Sequence, residues 1–212
     1  MNFRPKPLAE QVIVITGASS GIGLTTARLA ASRGAKVVAA ARSPEMEAIA
    51  SKLCEETGGE IVPVLADVAR EVDVRRIASV AVEHFGGIDT WVNNAGVALV
   101  GPMMETPVLE MRDLFETNFW GLVHGSRIAV EEMSSAGGTL INIGSVLSDR
   151  AIPLQGVYSA AKHAVKGFTD SLRMELEHDG IPVNVTLVKP ATVDTPYFAH
   201  AKNHLPEGFP AS

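Results

Sequence analysis

The hydrophobic positions of this chain fall into short unbroken runs, separated by longer stretches in which they recur every three or four residues. Residues 11–16, 36–41, 60–66, 88–93, 139–143 and 183–188 are the short runs, and their length and apolar continuity predict buried strands. The stretches with helical spacing are 21–33, stopped by Gly34, and 44–57, with Pro44 near its first turn and Gly58-Gly59 at its end. They continue with 72–85, ended by Gly86-Gly87, then 107–133 and about 155–177. Pro63 cannot donate to a ladder, so the third strand is expected at an edge. Six strands separated by helices predict an α/β fold, a doubly wound parallel sheet in three layers, α/β/α, because parallel neighbours need crossover connections. No repeat, low-complexity tract or linker interrupts the pattern, so residues 1–212 read as one domain.

Composition narrows the partners. The chain is 46% hydrophobic with a net charge of −6, which offers no basic footprint for nucleic acid. No apolar run approaches the ~20 residues of a membrane span, and the first eleven residues lack a signal-peptide core. Cys54 is the single cysteine, which excludes an internal disulfide and fits a reducing compartment. A cytoplasmic protein that binds neither nucleic acid nor membrane is expected.

Two stretches carry chemistry. Thr16-Gly17-Ala18-Ser19-Ser20-Gly21-Ile22-Gly23 follows the first strand and opens a helix. Glycines there let backbone approach a pyrophosphate, and the helix amino end adds N–H donors and partial positive charge. The second stretch runs from Gly144 to Lys162. Tyr158 and Lys162 stand four apart, on one helix face, and a close cation favours a phenolate over a phenol that otherwise titrates near ~10. Ser145, at the carboxyl end of the fifth run, offers a hydroxyl to the same space. At the end of the second strand Arg42-Ser43 stand where a carboxylate would select NAD(H); an arginine suits the 2′-phosphate of NADP(H), which is the cofactor expected. His200 and His204 have ligand spacing but no third donor nearby, so no metal is expected. His163, His124 and Cys54 show no catalytic partner.

These residues resemble the short-chain dehydrogenase/reductase family, over essentially the whole chain and with a Rossmann-type fold. TGASSGIG is similar to its T-G-x-x-x-G-x-G, and Asn93-Asn94-Ala95-Gly96 to its N-N-A-G. Asn118, Ser145, Tyr158 and Lys162 match its Asn-Ser-Tyr-Lys tetrad. Asp67-Val68 resembles its adenine-contacting pair, and Pro190, Val193 and Thr195 match its stretch after the sixth strand. The resemblance implies that Tyr158 is general acid and base, that Ser145 polarises the substrate oxygen, and that Lys162 bonds the nicotinamide ribose and lowers the Tyr158 pKa. Asn118 would bend its helix and anchor a water. Gly17, Ser19, Ser20, Gly21, Ile22, Gly23, Arg42, Ser43, Asp67, Val68, Asn94, Ala95 and Gly96 would hold the cofactor, with Tyr158, Lys162, Pro190, Val193 and Thr195.

Two departures stand out. The usual Pro-Gly is Pro190-Ala191, so that backbone must avoid positive φ or accept strain. The chain also stops at Ser212, where relatives usually continue through more lid and a seventh strand, leaving 191–212 as a partial lid expected to be mobile. Val97, Ala98, Met103, Met104, Leu147, Gln155, Tyr197 and Phe198 are the expected substrate pocket, mostly apolar, for a bulky uncharged ketone, aldehyde or secondary alcohol. The alternatives are a catalytically silent NADP(H)-binding regulator and an epimerase or dehydratase. Leu114, Phe115, Leu122, Val165, Phe168 and Leu172 suggest an apolar stripe on two helices. Relatives pair these helices across a two-fold axis, which implies a homodimer and, with the missing strand, a homotetramer.

Overall fold

The computed structural model describes residues 4–205. Its strands are β1 (Val12–Thr16), β2 (Lys36–Ala41), β3 (Ile61–Leu65), β4 (Thr90–Asn93), β5 (Leu99–Val100), β6 (Gly138–Ile143), β7 (Val183–Val188) and β8 (Lys202–Asn203). The helices are α1 (Gly21–Ser32), α2 (Met46–Thr57), α3 (Glu71–Phe85), α4 (Val108–Phe115), α5 (Gly121–Met133) and α6 (Gly156–Asp179). Six strands make one parallel sheet in the order β3-β2-β1-β4-β6-β7. Pro63 thus lies on an edge strand, paired only with β2.

Alternation along the strands sorts the core into two faces. Val12, Val14, Val38, Val64, Trp91, Leu140 and Val185 pack against α3, α5 and the end of α6. Ile13, Ile15, Val37, Ala39, Ile61 and Val92 pack against α1 and α2. β1 is buried along its whole length, as a strand covered on both sides must be. Beyond β6 the second face opens, and Asn184, Thr186 and Val188 of β7 are exposed.

The chain runs outward from β1 to β3 and then returns to the other side of β1 as β4. At that reversal the carboxyl ends of β1, β4 and β6 leave a crevice, the position where open α/β sheets bind ligands.

Three details differ from the periodic pattern. The stretch 107–133 is not one continuous helix: a π turn, Glu116–Trp120, divides α4 from α5 and is centred on Asn118, the residue expected to bend it. The tail after Pro190 carries a strand that the pattern did not predict, since β8 pairs in parallel with β5 in a small second sheet. Residues 206–212 of the expected lid lie outside the described residues. The apolar stripe also falls differently, since Leu114, Leu122 and Val165 are buried within the chain. The apolar side chains exposed around these helices are instead Val108, Leu109, Trp120 and Met174.

Candidate active site

The two turns at the reversal are stitched together by polar groups of the strand ends. Thr16 Oγ1 accepts from the backbone N–H of Asn94 at 3.0 Å and of Ala95 at 3.1 Å. Asn94 Nδ2 donates back to the carbonyls of Thr16 at 2.9 Å and Gly17 at 3.1 Å. The packing leaves no room for side chains. A Cβ on Gly17, whose φ is +67°, would stand 2.7 Å from Ala95 Cα, and one on Gly23 would stand 2.3 Å from the Gly17 oxygen. Ser20 caps α1 without a side-chain bond to its first N–H groups. Those donors belong to a helix end that favours an anion.

From this cradle a cavity of about 780 Å³ runs in two directions. One end is bounded by Arg42, Ser43 and Val68, with Asp67 just outside the lining. Arg42 Nη1 is 4.0 Å from Asp67 Oδ2, and no carboxylate stands at the end of β2. The volume, the side-chain-free turn and the waiting N–H donors fit a dinucleotide.

The other end holds Ser145, Tyr158 and Lys162. Ser145 follows β6, and its Oγ accepts from the Leu147 N–H at 3.1 Å while Ser148 Oγ accepts from the Ser145 N–H at 3.1 Å. That reciprocal cap fixes the serine at the cavity wall. Tyr158 and Lys162 come from the first turns of α6, with Lys162 Nζ 5.7 Å from the Tyr158 ring centre. Tyr158 is hydrogen-bonded to both Ser145 and Tyr197. Lys162 is buried and donates to the Ile143 carbonyl at 2.7 Å.

The electrostatics correct one expectation. Burial raises the Tyr158 pKa above the ordinary tyrosine value, and the bonds from Ser145 and Tyr197 pull it part of the way back. Lys162 does not lower it in this state. Burial instead depresses Lys162 itself, to about 8, as desolvation disfavours a charge. Burial also pushes Tyr197 well above the ordinary value; the neighbouring Tyr158 adds to this and the bond with Asn118 opposes it.

The profile of the short chain dehydrogenase family matches residues 11–205. The chain belongs to that family. It is 52% identical over 202 residues to an uncharacterized oxidoreductase, YxnA, of Bacillus subtilis, covering 94% of this chain but 57% of that protein. A short chain dehydrogenase/reductase from Burkholderia phymatum, solved in complex with NAD, superposes with a TM-score of 0.86 at 33% identity, over 90% of this chain and 68% of the other. An alcohol dehydrogenase from Thermococcus sibiricus, complexed with 5-hydroxy-NADP, gives 0.83 at 30% identity, over 93% and 82%. The chain spans little more than half the length of the curated relatives it matches.

Within that family's cavity, the structure gathers most of the residues singled out by sequence. Gly17, Ser19, Ser20, Gly21, Ile22, Asn94, Ala95, Gly96, Pro190, Val193 and Thr195 line it, as do Val97, Ala98, Leu147, Gln155 and Tyr197. Gly23 lies behind the cradle, packed on Gly17. Asn118 is also behind the wall, its Oδ1 accepting from the Val97 N–H at 2.7 Å and its Nδ2 donating to the Val97 carbonyl at 2.9 Å. Met103 and Met104 lie outside the lining: Met103 packs over Gly156 and Met104 is almost fully exposed. The side chain of Phe198 lies outside the described residues. Ala191 avoids strain, since Leu154 (φ 67°) is the one non-glycine residue at positive φ among the described residues.

His200 and Ile152 line the cavity without having been expected there. Neither carries a motif; only the return of the chain after β7 and the loop before α6 bring them in. His204 is turned away, its Nε2 2.8 Å from Glu110 Oε2 on α4.

Proposed function

We propose that this chain is an NADP(H)-dependent oxidoreductase acting between a bulky, largely apolar ketone or aldehyde and the corresponding alcohol, with Tyr158 as general acid and base. The observation that carries the reading is the meeting of the Ser145 and Tyr158 hydroxyls above Lys162, at the far end of a cavity that begins in a phosphate cradle. The nicotinamide, when bound, supplies or takes the hydride. Ser145 donates to the substrate oxygen and holds it beside Tyr158. A Tyr158 phenolate takes the alcohol proton in oxidation, and the phenol returns one in reduction. Burial works against the phenolate, so a protonated Lys162 and the charge on the oxidised cofactor have to offset it.

Arg42 and Ser43 support NADP(H) over NAD(H), because a guanidinium matches a phosphate and the residues that end β2 and follow it, Ala41-Arg42-Ser43, include no carboxylate to accept from a ribose 2′-hydroxyl. Val97, Ala98, Leu147 and Ile152 support an apolar substrate. We further infer one cytoplasmic domain that forms a homodimer through α4, α5 and α6, supported by exposed Leu109, Trp120 and Met174. Among the described residues no helix is long and apolar enough to cross a membrane.

Turnover of NADPH and NADH with a panel of ketones tests the reading, in the wild type and in Tyr158→Phe and Arg42→Leu. NADPH oxidation that Tyr158→Phe abolishes, with NADPH binding kept within a few-fold, is the expected result. An NADH preference in the wild type sinks the cofactor assignment, and binding without turnover across the panel turns the reading to a silent NADP(H)-binding regulator. A monomer by light scattering removes the dimer.

A further inference from the structure

We infer that Tyr197 is the chain's own stand-in for a substrate hydroxyl: it bonds the Tyr158 oxygen in the free protein and must leave before a substrate alcohol can take that place. The inference rests on reading Tyr158 as the proton carrier.

The geometry comes from three directions. Tyr197 lies between Pro190 and β8, and its ring meets that of Tyr158 edge-on, with centres 6.3 Å apart and planes at 61°. Its hydroxyl bonds both Tyr158 and Asn118. A Cβ on Gly96 would find Asn118 Oδ1 at 3.3 Å and the Tyr197 hydroxyl at 3.8 Å, so the phenol reaches the floor of the catalytic end. A phenolic oxygen has one proton and two lone pairs. Ser145 and Tyr197 are the two groups whose hydroxyls act on that oxygen here, each lowering the Tyr158 pKa. An alcohol substrate must do to Tyr158 what Tyr197 does, which is to offer its hydroxyl to that oxygen.

The segment carrying Tyr197 is held at its two ends. At one end the Val146 N–H donates to the Pro190 carbonyl at 3.0 Å. At the other the Lys202 N–H donates to the Ala98 carbonyl at 3.2 Å, and His204 holds Glu110. Between these anchors, among the described residues, 191–194 make no backbone–backbone hydrogen bond outside helices and strands, and 195–197 run through a turn into the 3-10 turn Phe198–His200. Residues 191–194 are exposed, whereas Thr195 packs on the phosphate cradle, 3.2 Å from where a Cβ on Gly21 would stand. Contact of a ligand with the cradle and contact with Tyr158 therefore press on one arc. The titratable groups that share this cavity with the two phenols are Lys162, His200 and, at the far end, Arg42.

The chain has two tyrosines, and both stand here. Labelling tyrosine with carbon-13 at Cζ gives two signals that report each phenol without any turnover. In Tyr197→Phe the Tyr158 signal should titrate at higher pH than in the wild type, because a donor to its phenolate is lost. In the wild type, NADPH with cyclohexanol should move the Tyr197 signal toward that of a solvated phenol. The kcat/KM limb for alcohol oxidation, which reports the free enzyme, should shift up by half a pH unit or more in Tyr197→Phe, while the kcat limb stays in place. A Tyr158 titration unchanged by Tyr197→Phe, or a Tyr197 signal unmoved by the ternary mixture, overturns the inference. Both signal changes without oxidation of any alcohol would keep Tyr197 as a gate and sink the oxidoreductase reading; turnover with an unmoved Tyr158 titration does the reverse.

Discussion

Replacing Lys162 by methionine should make the free protein more stable at pH 7. Lys162 is buried, and among the described residues its ammonium donates to the Ile143 carbonyl. Burial lowers its pKa from 10.5 to about 8. At ~1.36 kcal/mol for each tenfold change in proton affinity, holding the ammonium in the fold at neutral pH costs about 3 kcal/mol. The bond to Ile143 returns about 1–2 kcal/mol of this. Lys162→Met keeps the volume and removes the charge, so a net gain of about 1–2 kcal/mol is expected, or roughly 2–8 °C in Tm. The sign with pH follows from proton counts. Between about pH 8 and 10.5 the unfolded chain holds more protons at this site than the native one, so wild-type stability rises with pH there. The variant lacks that gain, and its advantage should close by about pH 10. Thermal and urea unfolding at pH 7 and pH 10, with NADPH titration at pH 7, measure both effects. A variant less stable than wild type at pH 7, or a gap that does not change with pH, refutes the reasoning. Weaker NADPH binding in the more stable variant would place the strained ammonium in the service of the cofactor.

Gly23→Ala puts a Cβ 2.3 Å from a backbone oxygen and 2.5 Å from Asn94 Nδ2, so NADPH affinity should fall at least tenfold by fluorescence titration; an unchanged affinity removes the cradle from cofactor binding. Asn93→Leu should destabilise by about 3 kcal/mol, roughly 6–12 °C in Tm. It strands the Trp91 Nε1–H and leaves Ser126, Asn142 and the Leu122 carbonyl without their Asn93 donor. A change under 1 kcal/mol by urea unfolding would show that the buried network adapts.

The sheet was legible because its inner strands are covered on both faces and so read as continuous apolar runs, as β1 and β2 do. The cradle was legible too, since Gly17 and Gly23 answer a local steric demand that leaves its mark in neighbouring residues. The spacing of Tyr158 and Lys162 follows from helical pitch alone. What pitch and pattern do not carry is environment. That Lys162 is desolvated and turned to Ile143, so that its own pKa falls while Tyr158 rises, depends on what α6 packs against. The break between α4 and α5 gave no periodic signal, because a π turn adds one residue without changing which side chains are apolar. Two-residue strands such as β5 and β8 are too short to show a period, and only their pairing across about a hundred residues of sequence creates them. That pairing carries the chain back over the cavity and sets Tyr197 against Tyr158, a contact between separate elements that local sequence does not encode.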